Sequence, residues 1–227
     1  MPRLLKAFMI FVLFMASIAF AAKFDARVAA WVHAEGFKAV IHRDRWPLIA
    51  KIPGHYGYCT LPVAALVGLA TRHRWRGAAL VASSGIVAGL LYTVAKWCVG
   101  RTRPFPANGV AETPFTFHPF ARGLAGLVKA ENQAFPSGHA CLAFATATAL
   151  TMLLPRGWAL FYLVAVLTAF ERVMENAHYP SDVVAGAGFG ILAAGITSWG
   201  LKRLWSDNKD HVSPAAFAVV PSDYVKT

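Results

Sequence analysis

Three short polar stretches carry the residue types that can do chemistry. The last is "ENAHYPSD", from Glu175 to Asp182, with Arg172 just upstream. His178 and Asp182 stand four residues apart, and Pro180 between them suits the first turn of a helix. One turn on from His178, Asp182 can accept a hydrogen bond from one imidazole nitrogen. That fixes the tautomer and frees the other nitrogen to attack, the orienting logic of a catalytic triad with histidine as nucleophile. The plainer reading is an Asp stabilising a helix dipole beside an incidental histidine.

The second stretch is Pro136-Ser137-Gly138-His139, directly before an apolar run. Ser137 suits the N-cap position, and Gly138 lets a ligand approach the backbone. The open N–H groups of the first turn favour a phosphate oxygen. An ordinary helix start explains the serine and the glycine but leaves His139 without a task. The first stretch, "KWCVGRTRP", holds Lys96, Arg101 and Arg103-Pro104. Taken alone, basic residues at a helix end can simply snorkel to lipid headgroups.

These stretches interrupt a chain that is otherwise built for hydrocarbon. Of 227 residues, 57% are hydrophobic and 15% charged, with a mean hydropathy of +0.49. That composition excludes an ordinary soluble globule and indicates a polytopic membrane protein. The formal net charge of +11 is then read as affinity for anionic headgroups or a phosphate-bearing ligand, not for nucleic acid. Cys59, Cys98 and Cys141 match no zinc or redox spacing, and no cofactor or metal-ligand constellation is evident.

The expected fold is all-α: one domain over residues 1–227, an integral membrane bundle of six transmembrane helices with an amphipathic outer-face segment. The spans fall near Leu4–Ala22, Tyr56–Ala70, Ala78–Ala95, His139–Leu154, Trp158–Phe170 and Val183–Trp199. "KFDARVAAWVHAEGFKAVIHRDRWP", after the first span, is the segment expected to lie along the outer interface. The first span also reads as a cleavable signal peptide, but five further spans favour its retention. An N-terminus inside places the "RHRWR" cluster in the cytoplasm, as the distribution of short-loop cations suggests. All three polar stretches then share the outer face.

Together the stretches resemble the signature of the type 2 phosphatidic acid phosphatase superfamily. Its three parts are Lys, six residues, Arg-Pro in "KWCVGRTRP"; an intact "PSGH"; and Arg, five residues, His, three residues, Asp in "RVMENAHYPSD". The motif core runs from Lys96 to Asp182. The resemblance implies a metal-independent phosphatase acting on a lipid phosphate or diphosphate at the periplasmic face of a bacterial inner membrane. It implies that Lys96, Arg103 and Arg172 bind the phosphate, with Ser137 and Gly138 adding hydrogen bonds. His178 forms a phosphohistidine, Asp182 orients it, and His139 protonates the leaving oxygen and later activates water. The candidate substrates it suggests are undecaprenyl diphosphate, phosphatidylglycerol phosphate, phosphatidic acid and lipid A phosphates. Rival readings are a secreted acid phosphatase lacking Met1–Ala22 and a non-catalytic lipid-phosphate binder.

The sequence departs from the signature at Glu171, where the motif usually has serine before the arginine. A carboxylate there would oppose a phosphate, so Glu171 is expected to point elsewhere. The long connection between the first two motifs carries Phe105, Phe115, Phe117 and Phe120. It is expected to cover the pocket and select the lipid chain.

Overall fold

The computed structural model describes residues 3–35, 60–70, 74–104, 116–120 and 133–206. Seven α-helices occupy most of them: α1 (Arg3–Ala22), α2 (Asp25–Ala34), α3 (Thr60–Ala70), α4 (Arg74–Val99), α5 (Gly138–Leu153), α6 (Trp158–Met174) and α7 (Pro180–Ser206). Each expected span that lies among these residues is helical. Four helices are long and apolar enough to cross a membrane, at Leu4–Ala22, Trp75–Val99, Pro155–Met174 and Pro180–Trp205. The other two expected spans are shorter. Helix α3 has 11 described residues, residues 56–59 of that expected span lying outside the described ones, and α5 has 16. At about 1.5 Å per residue, α5 covers roughly 24 Å of a hydrocarbon layer about 30 Å thick. Helices α4, α6 and α7 run past their expected ends into polar sequence, and these extensions carry Lys96, Arg172 and Asp182.

The shorter α5 is the centre of the bundle. Its alanines at 140, 143, 145, 147 and 149 are fully buried, and it packs on α4, α6 and most extensively on α7. Small residues permit that approach, because helices in lipid associate by close backbone packing, not by leaving water. A Cβ at Gly190 would collide with the Cys141 carbonyl oxygen, and one at Gly186 would stand 2.5 Å from that of Ser137. Hydroxyl pairs fix the flanking helices. Thr60 Oγ1 on α3 lies 2.9 Å from Thr146 Oγ1 on α5, and Thr148 Oγ1 on α5 lies 2.9 Å from the Tyr162 hydroxyl on α6.

Helix α1 adheres along one side only, with the Phe14 ring set edge-on to Phe189 at 6.4 Å and seated over Gly188 of α7. Its Leu4, Phe8, Ile10 and Leu13 stay exposed, as do Leu160, Leu163 and Phe170 of α6. Apolar surface on this scale is what a lipid environment covers. At one end of the bundle, the start of α4 meets the end of α7, where Arg76 stands over the rings of Trp75 and Trp205, 5.5 Å from each. The ends that carry the three motifs gather at the opposite end.

Only the start of the expected outer-face segment is described. Helix α2 lies against α6 and α7, and its inward residues Asp25, Ala29 and Val32 are buried. Asn176 Nδ2 donates to the Ala29 carbonyl at 3.3 Å. The segment is thus more than a surface helix, because its first turn is built into the bundle. Residues 36–59 lie outside the described ones.

Candidate active site

Backbone hydrogen bonds knit the three motifs together. The Ser137 N–H donates to the Asp182 carbonyl at 3.0 Å, and the Ala134 N–H to the Arg101 carbonyl at 2.9 Å. Ser137 caps α5 as its sequence suggests, its Oγ accepting from the Ala140 N–H at 3.4 Å. His139 follows in the first turn, where the charges of Arg172, Lys96 and Arg103 act on it. Lys96, in the last turn of α4, holds its ammonium 5.4 Å from the centre of the Tyr92 ring. The expected site residues Lys96, Arg103, Ser137, Gly138, His139, Arg172, His178 and Asp182 therefore belong to one end of the bundle.

His178 is buried in the short link between α6 and α7. Its Nδ1–H donates to the Ala134 carbonyl oxygen at 2.7 Å. A carbonyl can only accept, so Nδ1 carries the proton and Nε2 keeps its lone pair in the neutral ring. The tautomer is the one a nucleophilic histidine requires, but the group that fixes it differs from the expected one. Asp182 Oδ2 lies 3.8 Å from Nδ1, too far for a hydrogen bond. It accepts instead from the Tyr179 N–H at 2.8 Å. Asp182 acts on the ring through its charge. Burial pushes the His178 imidazole below its ordinary value of 6.5, Asp182 opposes that shift, and Arg103 and Lys96 add to it.

The other oxygen of Asp182 accepts from Arg101 Nη1 at 2.6 Å. Arg101 is 3% exposed, so it does not snorkel. Its Nη2 reaches Asp25 Oδ2 at 2.7 Å, and its guanidinium carbon lies 4.2 Å from the centre of the Tyr179 ring. The Asp25 carboxylate also accepts from Ser181, from the N–H at 3.0 Å and from the hydroxyl at 2.5 Å. Sequence reasoning missed Asp25 and gave Arg101 no role.

Glu171 corrects a second expectation. It does not point elsewhere, since its Oε1 accepts from Arg172 Nη2 at 2.9 Å. Glu175 Oε2 lies 2.9 Å from the same nitrogen. Arg172 Nε is buried and meets no acceptor among the described residues. A buried guanidinium N–H without a partner is costly, and a phosphate oxygen would relieve it.

The connection between the first two motifs turns back over the site at the residues that are described. His118 N–H donates to the Gly100 carbonyl at 2.9 Å, and Phe120 N–H to the Trp97 carbonyl at 2.9 Å. Phe117 pairs with Arg101 in an isolated antiparallel bridge. Gly100 sits at φ +57°, and a Cβ there would collide with the His118 carbonyl. Phe105 and Phe115 lie outside the described residues.

The model of the PAP2 superfamily matches residues 77–206, from the start of α4 to the end of α7. The chain belongs to the PAP2 superfamily. A lipid A 1-phosphatase of Rhizobium etli is 37% identical over 139 residues, which are 60% of this chain and 55% of that protein. An undecaprenyl-diphosphatase of Sulfolobus acidocaldarius is 34% identical over 130 residues, 57% of each chain. The chain thus spans about half the length of the curated relatives it matches. The crystal structure of Aquifex aeolicus LpxE aligns with 73% of this chain and 94% of its own at 23% identity, with a TM-score of 0.48. The PAP2 match begins after α3, so Asp25 stands outside it while bonding to two residues within it.

Proposed function

We propose that this PAP2 protein hydrolyses the phosphate or diphosphate of a membrane lipid through a phosphohistidine, without a metal ion. The observation that carries this reading is the His178 Nδ1–H bond to the Ala134 carbonyl. It leaves a buried, neutral Nε2 as the nucleophile in a site that also holds Lys96, Arg103 and His139.

In the proposed reaction, Lys96, Arg103 and Arg172 hold the phosphoryl oxygens and offset charge in the transition state. Ser137 and the Gly138 N–H add hydrogen bonds at the start of α5. Nε2 of His178 bonds to phosphorus as the bond to the lipid oxygen breaks, and His139 gives that oxygen a proton. Water then attacks phosphorus, His139 takes its proton, and the N–P bond breaks to release phosphate. The three cations do the electrostatic work a metal would otherwise do. Among the described residues, no group of three His, Cys, Asp or Glu side chains is arranged to hold one.

The similarity to lipid A 1-phosphatases and to an undecaprenyl-diphosphatase supports a lipid substrate, as do the exposed apolar faces of α1 and α6. Those faces also favour a membrane enzyme over a secreted acid phosphatase. We place the site at the periplasmic face of a bacterial inner membrane, with Arg76 and the two tryptophans at the cytoplasmic end. Reporter fusions after Trp205 and within residues 107–128 should report opposite compartments.

The deciding experiment is phosphate release by the purified full chain in detergent. The panel is lipid A, undecaprenyl diphosphate, phosphatidylglycerol phosphate and phosphatidic acid, each with and without EDTA. Release that survives EDTA and disappears in His178→Ala supports the proposal. Silence on every lipid would favour a non-catalytic binder.

A further inference from the structure

Among the described residues, the Asp25–Arg101–Asp182 chain is a buried polar arrangement that ties Asp182 to two residues outside the expected catalytic set. It joins three separate parts of the sequence: the first turn of α2, the residues after α4, and the first turn of α7. Asp25 and Asp182 are fully buried, and Arg101 is 3% exposed. Two carboxylates on one guanidinium leave a net negative charge, which a bundle of this kind has no packing reason to retain. Each member is also held from a second direction. Asp25 takes both the N–H and the hydroxyl of Ser181. Arg101 Nη1 donates to the Ser181 hydroxyl at 2.7 Å as well as to Asp182. The guanidinium lies on the Tyr179 ring. Ser181, Tyr179 and Asp182 are the three residues that surround the start of α7, immediately after His178.

We propose that Asp25 and Arg101 are positioning residues for the histidine–aspartate pair. Asp25 anchors the Arg101 guanidinium, Arg101 holds Asp182 Oδ1, and the start of α7 is thereby locked beside His178. The inference rests on the hydrolase reading above. It makes the helix before the PAP2 core a working part of the site: residues 77–206 contain the groups that touch phosphate, but not the anchor for one of them.

The lock also sets the field at His178. The charged and titratable groups that act on the ring are Asp182 from α7, Lys96 from α4, Arg103 from the segment after it, and His139 from α5. Arg101 tempers the negative charge of Asp182, and Asp25 tempers that of Arg101. Neutralising Asp25 leaves Arg101 to cancel Asp182 more completely, so the imidazole should protonate at lower pH.

The test uses the full chain in detergent, with Asp25→Asn compared to wild type. The first readout is phosphate release from whichever lipid of the panel the wild type hydrolyses. The expected result is a kcat lower by about 10–100-fold, a KM within about threefold, and an acid limb moved to lower pH. Wild-type kcat, or a loss with the acid limb unmoved, overturns the proposal. If Asp25→Asn does not fold, Ser181→Ala is read by kcat alone, since it removes the hydroxyl between Asp25 and Arg101 and keeps every charge, so its acid limb should stay in place. It should lower kcat about 3–10-fold, and an unchanged kcat counts against the lock. The second readout is orthovanadate affinity by tryptophan fluorescence, which needs no turnover. Silence on the lipid panel with tight orthovanadate binding defeats the hydrolase reading alone. Positioning is then upheld if Asp25→Asn weakens orthovanadate about tenfold, and overturned if the affinities are equal. A wild type that neither turns over nor binds orthovanadate defeats both.

Discussion

Arg172 offers its Nη2 to two carboxylates at once, Glu171 and Glu175, each at 2.9 Å. Glu171 occupies the place where serine is usual, and it reduces the positive charge available to a phosphate. On the proposed function, the site should bind phosphate more weakly than its three cations imply. Glu171→Gln should lower KM for an anionic lipid about 3–10-fold, corresponding to about 1 kcal/mol of charge interaction in a partly screened pocket. Glu175 should keep the guanidinium in place, so kcat should change less than KM. Steady-state kinetics with one lipid and both proteins measure this. An unchanged KM would mean that the carboxylates do not compete with the substrate for Arg172.

His178 is held neutral by burial, which gives a signed pH dependence. Its pKa lies below the ordinary 6.5, so at pH 6.5 more than half of the rings keep the lone pair that the proposed attack needs. The ring becomes mostly imidazolium only at lower pH. Histidine Cε1–H NMR, with His178→Gln to assign the signal, should place the titration midpoint of His178 below 6.5. A resonance titrating at or above 6.5 would contradict the buried neutral state.

Asp182 and His178 should respond differently to removal. His178→Ala leaves no nucleophile and should abolish turnover. His139→Ala should slow departure of the lipid oxygen severely while sparing binding. Asp182→Asn keeps one acceptor but turns an NH2 group towards either the Tyr179 N–H or the Arg101 Nη1, both donors. The mismatch falls within a buried ion pair, where loss of one partner costs about 3–5 kcal/mol. Asp182→Asn should therefore lower both kcat, by about 100–1000-fold, and the melting temperature. His178→Ala should leave melting nearer wild type. Thermal melts beside single-turnover assays separate the two. Equal melting of the two variants would argue that Asp182 acts only on the ring.

Spacing made much of this legible. Lys96 and Arg103, Ser137 and His139, and Arg172, His178 and Asp182 each sit where an apolar run ends, so their convergence followed from which ends share a face. What bonds to His178 was not legible. Its acceptor is a backbone carbonyl at Ala134, and no residue type announces a carbonyl. Asp25 was hidden for a different reason: an acid in an amphipathic run has the pattern of a solvated face. Only the folding of α2 onto α6 and α7 buries it against Arg101. Glu171 was legible as a departure but not in direction, because the neighbouring Arg172 guanidinium draws the carboxylate to itself. That α5 is the enclosed centre became visible only in the fold, where α4, α6 and α7 pack on its alanines.

The connection that follows Gly100 is placed to influence which lipid the proposed enzyme accepts. Its described part is hydrogen-bonded along residues 97–102, beside the end of α4 that carries Lys96. Phe117 is 47% exposed and Phe120 is 73% exposed, although Phe117 approaches the Arg101 guanidinium at 5.9 Å. Aromatic rings left open next to a polar pocket can rest in the headgroup layer and line the path of an acyl or prenyl chain. They contribute little to holding a phosphate. Replacing Phe117 and Phe120 together by serine should therefore lower kcat/KM about 5–20-fold on a long-chain lipid phosphate, consistent with roughly 1–2 kcal/mol of lost apolar contact. A short, water-soluble phosphate ester makes few contacts outside the pocket and should be hydrolysed nearly as before. If both substrates lose activity equally, the rings only pack the loop against the bundle, and lipid selection must reside elsewhere.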